Sequence, residues 1–244
     1  MHLRKIRIDR KKFPVKDKYP FNIRILNNTK QIVFDKNITF FAGENGTGKS
    51  TLLKSLARTC GVHIWEDKNR VKFDLNPYEE MLDGAISLEW ADGQVQGSFF
   101  GAQIFETFAG LLDEWAHDDP GQFRYFGGKS LRSMSHGQSL MAYFRSRYCR
   151  KGIYFMDEPE TALSPKTQLE LMEILEENGS KGHAQFIIAT HSPILLSLPD
   201  AGIYGFDGNS IKSIAYKDTG HYNVYSKFFE DMKAKNKRKK RRKK

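Results

Sequence analysis

Nine consecutive residues, G-E-N-G-T-G-K-S-T at positions 43–51, have the types and spacing that bind phosphate. Gly43, Gly48, Lys49 and Ser50 fit G-x-x-x-x-G-K-[ST], placed between an apolar strand-like run and a helix-compatible stretch. Gly43, Gly46 and Gly48, with Glu44, Asn45 and Thr47 between them, let backbone N–H groups curl around a β- or γ-phosphate. Lys49 adds a point charge, the helix N-terminus its dipole, and Ser50, followed by Thr51, offers a hydroxyl to Mg²⁺. A look-alike, G-G-K-S at 127–130, has Phe123 where the first glycine should stand.

A second constellation lies at 152–160, G-I-Y-F-M-D-E-P-E, an apolar strand ending in Asp157 and Glu158. Successive side chains of a strand point to opposite faces, so the two carboxylates can divide the work. Asp157 suits the water shell of Mg²⁺, and Glu158 suits the polarisation of a water attacking a γ-phosphate. Downstream, Ser164 reads as a helix N-cap with Pro165 at the first helical position, and Leu169, Met172 and Leu175 form a core-facing stripe.

The run F-I-I-A-T-H-S-P ends another buried strand at Thr190, His191 and Ser192, which brings His191 toward the same crevice. As a hydrolase pair, Ser192 and His191 lack the G-x-S-x-G elbow. Between the phosphate loop and the carboxylates, Gln103 follows a strand and opens a helix, with Gln94, Gln96 and Gln122 as rivals for a glutamine in the site. In S-M-S-H-G-Q-S-L at 133–140, Ser135 caps a helix that runs through Gln138, Leu140, Met141 and Phe144, and its free N–H groups make an anion site. No phosphate loop adjoins that helix in sequence.

The elements that must position these residues alternate. Short β-like runs at 3–8, 21–26, 31–34 and 38–41 form a small N-terminal β lobe, and runs at 85–90 and 94–100 around the turn A-D-G read as a hairpin. A helix at about 104–115 follows. Strand (152–156), helix (165–178), strand (185–190) and helix (193–198) then imply a mostly parallel sheet with helices on its faces. The expected organisation is one domain over 1–232, with a β lobe at about 1–41 and 85–100 and a helical lobe at about 101–150.

Hydrophobic content of 39% is that of a globular chain, and the apolar runs are too short to cross a bilayer. The N-terminus lacks a signal-peptide core, so a cytoplasmic protein without membrane insertion is expected. Cys60 and Cys149 share no C-x-x-C spacing and read as reduced thiols. The net charge of +10 is local: the last twelve residues hold ten Lys or Arg, and without them 29 bases face 29 acids. Residues 233–244 are expected to be a disordered basic tail able to touch phosphate backbones.

With these features in this order the chain resembles the ATP-binding cassette ATPases, a P-loop NTPase α/β fold. G-E-N-G-T-G-K-S-T stands as Walker A, M-S-H-G-Q as the signature motif, I-Y-F-M-D-E-P-E as Walker B and T-H-S-P as the switch-histidine loop. More narrowly, F-G-G-K-S-L, S-H-G-Q-S, D-E-P-E-T-A-L-S-P and the C-terminal Y-K-D-T-G-H-Y are similar to stand-alone bacterial AAA-type ATPases akin to SMC and RecF-like heads. The resemblance implies ATP and Mg²⁺ as cofactors and hydrolysis with Glu158, His191 and Lys49 as catalytic groups. It also implies metal contacts from Ser50, Asp157 and Gln103, and a homodimer in which Ser135, Gly137 and Gln138 of one copy meet the ATP on the Walker A of the other.

Met134 and His136 stand where transporter subunits usually carry Leu and Gly, Ser164 stands where they commonly carry Asp, and the 85 positions from Ser50 to Ser135 leave no room for a long coiled coil. Tyr19 and Phe21 are the candidates for adenine stacking. The leading expectation is an ATP switch acting on nucleic acid or an effector protein, in repair or phage defence. The alternatives are a transporter's ATP-binding subunit and an ATP-gated module that holds a toxin or nuclease.

Overall fold

The computed structural model describes residues 1–65, 76–126 and 128–241, with side chains at all of these except 103, 106, 120, 125, 126 and 237–241. The strands are β1 (Leu3–Ile8), β2 (Gln31–Val33), β3 (Ile38–Ala42), β4 (Ile86–Trp90), β5 (Gly97–Gly101), β6 (Gly152–Asp157), β7 (Ala184–Ala189), β8 (Gly202–Gly205) and β9 (Lys212–Ser213). The helices are α1 (Arg24–Asn28), α2 (Lys49–Thr59), α3 (Ala102–Asp118), α4 (His136–Tyr148), α5 (Pro165–Ser180), α6 (Pro193–Leu196) and α7 (Gly220–Arg241).

The runs I-T-F-F-A, G-I-Y-F-M-D and A-Q-F-I-I-A are apolar without alternation, the pattern of strands covered on both faces. They become β3, β6 and β7 in a six-stranded sheet of order β5-β6-β7-β3-β8-β9, parallel throughout except for the β8–β9 edge pair. Side chains still alternate between two cores. Phe40, Tyr154, Met156, Phe186 and Ile188 join the core under α3, α4 and α5, while Phe41, Ile153, Phe155 and Ile187 join the core under α2. The second core is closed by a three-stranded antiparallel sheet of order β2-β1-β4, which supplies Leu3, Ile6, Ile8, Ile32 and Ile86.

One buried amide ties the two sheets. Gln185, on β7 and fully buried, accepts from the N–H groups of His2 (2.9 Å) and Leu3 (2.7 Å) and donates back to the Leu3 carbonyl (2.9 Å). An amide supplies both an acceptor and a donor, which no apolar side chain of that size can do.

Several expectations are corrected. The pair expected at 85–90 and 94–100 is not a hairpin: β4 pairs antiparallel with β1, and β5 pairs parallel with β6. Gln94 donates to the Cys60 carbonyl and draws the chain away after the A-D-G turn, and at Gly97 an added Cβ would lie 2.3 Å from the Ile153 carbonyl oxygen. Residues 21–26 are not a strand. They lead into α1, where the Asn27 amide donates to the Phe21 and Ile23 carbonyls. The run at 38–41, assigned to the β lobe, is a central strand of the large sheet.

Leu169 is 54% exposed, and the buried stripe of α5 is instead Leu171, Ile174 and Leu175. Residues 233–241, expected as a disordered tail, continue α7, while 242–244 lie outside the described residues. The helix is nucleated where the Thr219 hydroxyl accepts from the Tyr222 N–H, and Lys, Arg and Ala propagate it at little cost once begun.

Replacing Gln185 with Leu leaves two buried N–H groups without an acceptor and is expected to lower the unfolding free energy by about 2–4 kcal/mol. Urea denaturation measures it, and an unchanged midpoint would remove Gln185 as the tie between the sheets.

Candidate functional site

Parallel register brings the chemistry to one edge. Gly101 lies opposite Asp157, Asp157 opposite Ala189, Ala189 opposite Phe41, and Ala42 opposite Gly205. The carboxyl ends of β5, β6, β7, β3 and β8 therefore open onto Gln103, Asp157 and Glu158, His191, the 43–50 loop, and Asp207. Gln103 sits in the first turn of α3, and its side chain lies outside the described residues.

The loop is shaped by glycine. Gly43, Gly46 and Gly48 have φ of +154°, +77° and +99°, a region where a side chain is strained. At Gly43 a Cβ would also meet Asp207 Oδ1 at 2.8 Å and Phe206 Cβ at 2.9 Å. The same Asp207 oxygen accepts from the Glu44 N–H at 2.7 Å and the Thr47 hydroxyl donates to the Glu44 carbonyl, so the loop is held from below and across its turn.

Lys49 is 4% exposed, and its Nζ donates to the carbonyls of Gly43 (2.7 Å) and Glu44 (2.8 Å). Burial holds its pKa below the usual lysine value, against the opposing pull of Glu158, Asp207, Asp157 and Glu160. A cation parked on neutral carbonyls inside a glycine loop suits an anion such as phosphate.

Ser50 Oγ donates to Asp157 Oδ1 at 2.7 Å. Burial raises the Asp157 pKa, opposed by the Ser50 hydrogen bond, Lys54 and Lys49. No group of three or more His, Cys, Asp or Glu side chains among the described residues could hold a metal unaided. The hydroxyl and carboxylate fit Mg²⁺, which commonly takes one or two protein oxygens and completes its shell with phosphate oxygens and water.

Glu158 adopts φ 47°, ψ 55°, a left-handed conformation costing roughly 1–2 kcal/mol in a residue with a Cβ. It is held there by its N–H on the Ala189 carbonyl (2.9 Å) and by the Thr161 hydroxyl on its own carbonyl (2.9 Å). The twist turns Glu158 out of line with Asp157 and toward His191, whose Nε2 lies 3.5 Å from Glu158 Oε1. The His191 backbone N–H donates to Glu160, and its Nδ1 faces His221 Nε2 at 3.2 Å. Desolvation first, and then the Lys49 charge, lower the His191 pKa, so the ring is neutral at pH 7.

Ser50, Lys54, Gly101, Asp157, Glu158 and Thr161 share a cleft of about 220 Å³. A larger cavity of about 360 Å³, walled by Trp65, Trp115, Tyr143 and Arg147, opens at the Gly97 end of β5, the opposite end from Gly101 and Asp157.

Ser135, Gly137 and Gln138 lie apart from this cleft. Ser135 caps α4 in a capping box with Gln138, whose Oε1 accepts from the Ser135 N–H at 3.2 Å. Among the other expectations, Phe21 is fully buried and cannot stack on a base, whereas Tyr19 is 41% exposed with its hydroxyl 3.0 Å from Thr51 Oγ1. The rival glutamines have other places: Gln94 binds Cys60, Gln122 binds Asp119, and Gln96 precedes the wrong end of β5. Asp207, Glu160 and His221 were not anticipated, because each acts on a residue far from it in the chain.

Two family models match, one described as "AAA domain" over residues 21–80 and one described as "AAA domain, putative AbiEii toxin, Type IV TA system" over residues 131–197. The first contains the phosphate loop, and the second contains Ser135, Asp157, Glu158 and His191. The chain is 24% identical over 219 residues to the phosphonates import ATP-binding protein PhnC of Bordetella parapertussis, covering 77% of this chain and 83% of that one. It is 25% identical over 203 residues to the phosphate import ATP-binding protein PstB of Staphylococcus saprophyticus, covering 68% and 64%.

The chain is a P-loop ATPase similar to the ABC/AAA-type ATPases.

Solved structures similar to the ATPase include the SMC head domain from Thermotoga maritima (TM-score 0.44, 14% identity, 88% of this chain and 99% of that one). Another is CbiO1 from Clostridium perfringens, part of the ABC transporter complex CbiONQ (TM-score 0.48, 17% identity, 87% and 89%). Among its described residues the ATPase has no helix long and apolar enough to cross a membrane.

Removing the Asp207 carboxylate frees the Glu44 N–H and the underside of the loop. Asp207→Ala is expected to weaken ATP binding about tenfold, the loss of one charge-assisted hydrogen bond. Titration with a fluorescent ATP analogue measures it, and wild-type affinity would separate Asp207 from the loop.

Proposed function

We propose that two copies of the ATPase close around ATP, that hydrolysis reopens them, and that the motion acts on nucleic acid or an effector protein. One observation carries this reading: the capped N-terminus of α4, with its exposed Ser135 and Gln138, stands outside the cleft lined by Ser50, Asp157 and Glu158 in its own chain. A second copy would bring that helix end, with its positive dipole, to the phosphates held by the first.

Within each site Lys49 and the loop N–H groups would hold the β- and γ-phosphates, and Ser50 and Asp157, with Gln103, would hold Mg²⁺. Bound there, the ion neutralises phosphate charge. Glu158 would take a proton from water as its oxygen attacks the γ-phosphorus and the bond to the ADP oxygen breaks. His191, neutral and facing Glu158, would donate its Nε2 proton in a hydrogen bond to the γ-phosphate side of the site. Residues 233–244, carrying ten Lys or Arg, favour a polyanion as the object acted on.

The relatives PhnC and PstB, named as import ATP-binding proteins, favour a second reading as a transporter's ATP-binding subunit. Co-purification with a membrane protein would favour that reading over the first.

Glu158→Gln is expected to bind ATP without turning it over and to double its mass in light scattering when ATP is added. A variant that binds ATP and stays monomeric contradicts the sandwich. For the basic segment, DNA-stimulated ATP hydrolysis and salt-sensitive DNA binding are expected in the full chain, with Lys49→Ala as the hydrolysis blank. Both should disappear on deleting 233–244, and equal binding by the shortened chain would remove that segment's role.

A further inference from the structure

His191 and His221 share a hydrogen bond, and the surroundings of the two rings decide its direction. His191 Nε2 faces the Glu158 carboxylate at 3.5 Å, an acceptor that favours a proton on that nitrogen. A neutral ring carries one proton, so His191 Nδ1 is then bare and must accept from His221 Nε2, 3.2 Å away. That leaves His221 Nδ1 without a proton. It is buried and has no partner, as suits a lone pair far better than a stranded N–H donor. The opposite direction would put a lone pair of His191 against a carboxylate and bury an unpaired N–H on His221. His191 Nε2 is itself buried without a hydrogen-bond partner, so the first arrangement is favoured by the attraction of its N–H to a carboxylate 3.5 Å away rather than by a formed hydrogen bond.

We infer that His221, in the first turn of α7, is a positioning residue for ATP hydrolysis: its Nε2–H fixes His191 in the tautomer that presents Nε2–H to Glu158 and the γ-phosphate side of the cleft. This rests on the role proposed above for His191. The neutral state of His191, maintained by desolvation and Lys49, is what gives a tautomer lock something to lock. The His191 backbone is already held by Glu160, so the ring's remaining freedom is its proton and its rotation, and His221 removes both.

The test uses the full chain and four variants: His191→Ala, His221→Phe, His221→Gln, and His191→Ala with His221→Phe. His191→Ala is expected to lower kcat by about a hundredfold and His221→Phe by about tenfold, each with KM for ATP changed by less than about threefold. The double variant should be no slower than His191→Ala, because the lock has nothing left to act on. Glutamine, whose amide can still donate to Nδ1, should recover most of the His221→Phe loss. Independently of turnover, ¹⁵N imidazole shifts of the nucleotide-free wild type should show His191 protonated at Nε2, and the signal in His221→Phe should move toward a mixture of tautomers.

Wild-type kcat in His221→Phe alongside a slow His191→Ala would overturn the positioning role. So would losses that multiply in the double variant, a glutamine variant as slow as phenylalanine, or a wild-type His191 protonated at Nδ1. His191→Ala turning over at the wild-type rate would instead overturn the role of His191 itself, and the inference with it.

Discussion

The parallel pairing of β3, β6 and β7 is the constraint on which the site depends. Their register sets Phe41, Asp157 and Ala189 on one line across the sheet, so the phosphate loop, the two carboxylates and His191 leave the sheet together. A slip of one residue would turn Phe40, Tyr154 and Phe186 from one core toward the other, and both faces of the sheet are buried. Packing on two sides therefore fixes a geometry that no contact within the cleft could fix alone. The strain at Glu158 is tolerated for the same reason, since its N–H remains bonded to β7 while its side chain is turned toward His191.

The ionisable groups gathered at this edge are shifted in both directions, Lys49 and His191 downward and Asp157 upward. Lys49 rests on carbonyls, the Asp157 carboxyl is raised by burial and steadied by a serine, and His191 is kept neutral beside a carboxylate. Groups perturbed in opposite directions within one cleft mark a functional site on physical grounds alone. Here they divide into a half built by glycine and lysine and a half in which Glu158, His191 and His221 face one another in a row. Asp207 joins the first to β8, and Glu160 joins the second to the turn after β6.

Much of this was legible in the sequence wherever the signal was local. The phosphate loop, the strand ending in Asp157 and Glu158, the strand ending before His191, and the Ser164 and Ser135 caps are all set by residues within a few positions of one another. Where partners are distant, the reading failed. A hairpin was expected around A-D-G because adjacent β-like runs usually pair, yet β4 found β1 and β5 found β6, each more than fifty positions away. The basic segment was read from charge repulsion alone, which ignores the helix already nucleated at Thr219. His221 lies within Y-K-D-T-G-H-Y, yet nothing local to that stretch gives it a role: it is 30 positions from His191, and only the packing of the start of α7 beside His191 brings the rings together.

The central claim is that each ATP site is shared, with the phosphate loop of one copy completed by Ser135 of another. Mixing two inactive variants tests it most directly. Lys49→Ala spoils the loop and Ser135→Arg spoils the α4 end, so each alone should be inactive, while a mixed dimer regains one intact site from the loop of one partner and the helix end of the other. An equal mixture allowed to exchange should recover about a quarter of the wild-type hydrolysis rate, because half of the dimers are mixed and each holds one working site of two. A mixture as inactive as its parts, in chains that still bind ATP through the intact loop and exchange subunits, would contradict the shared site.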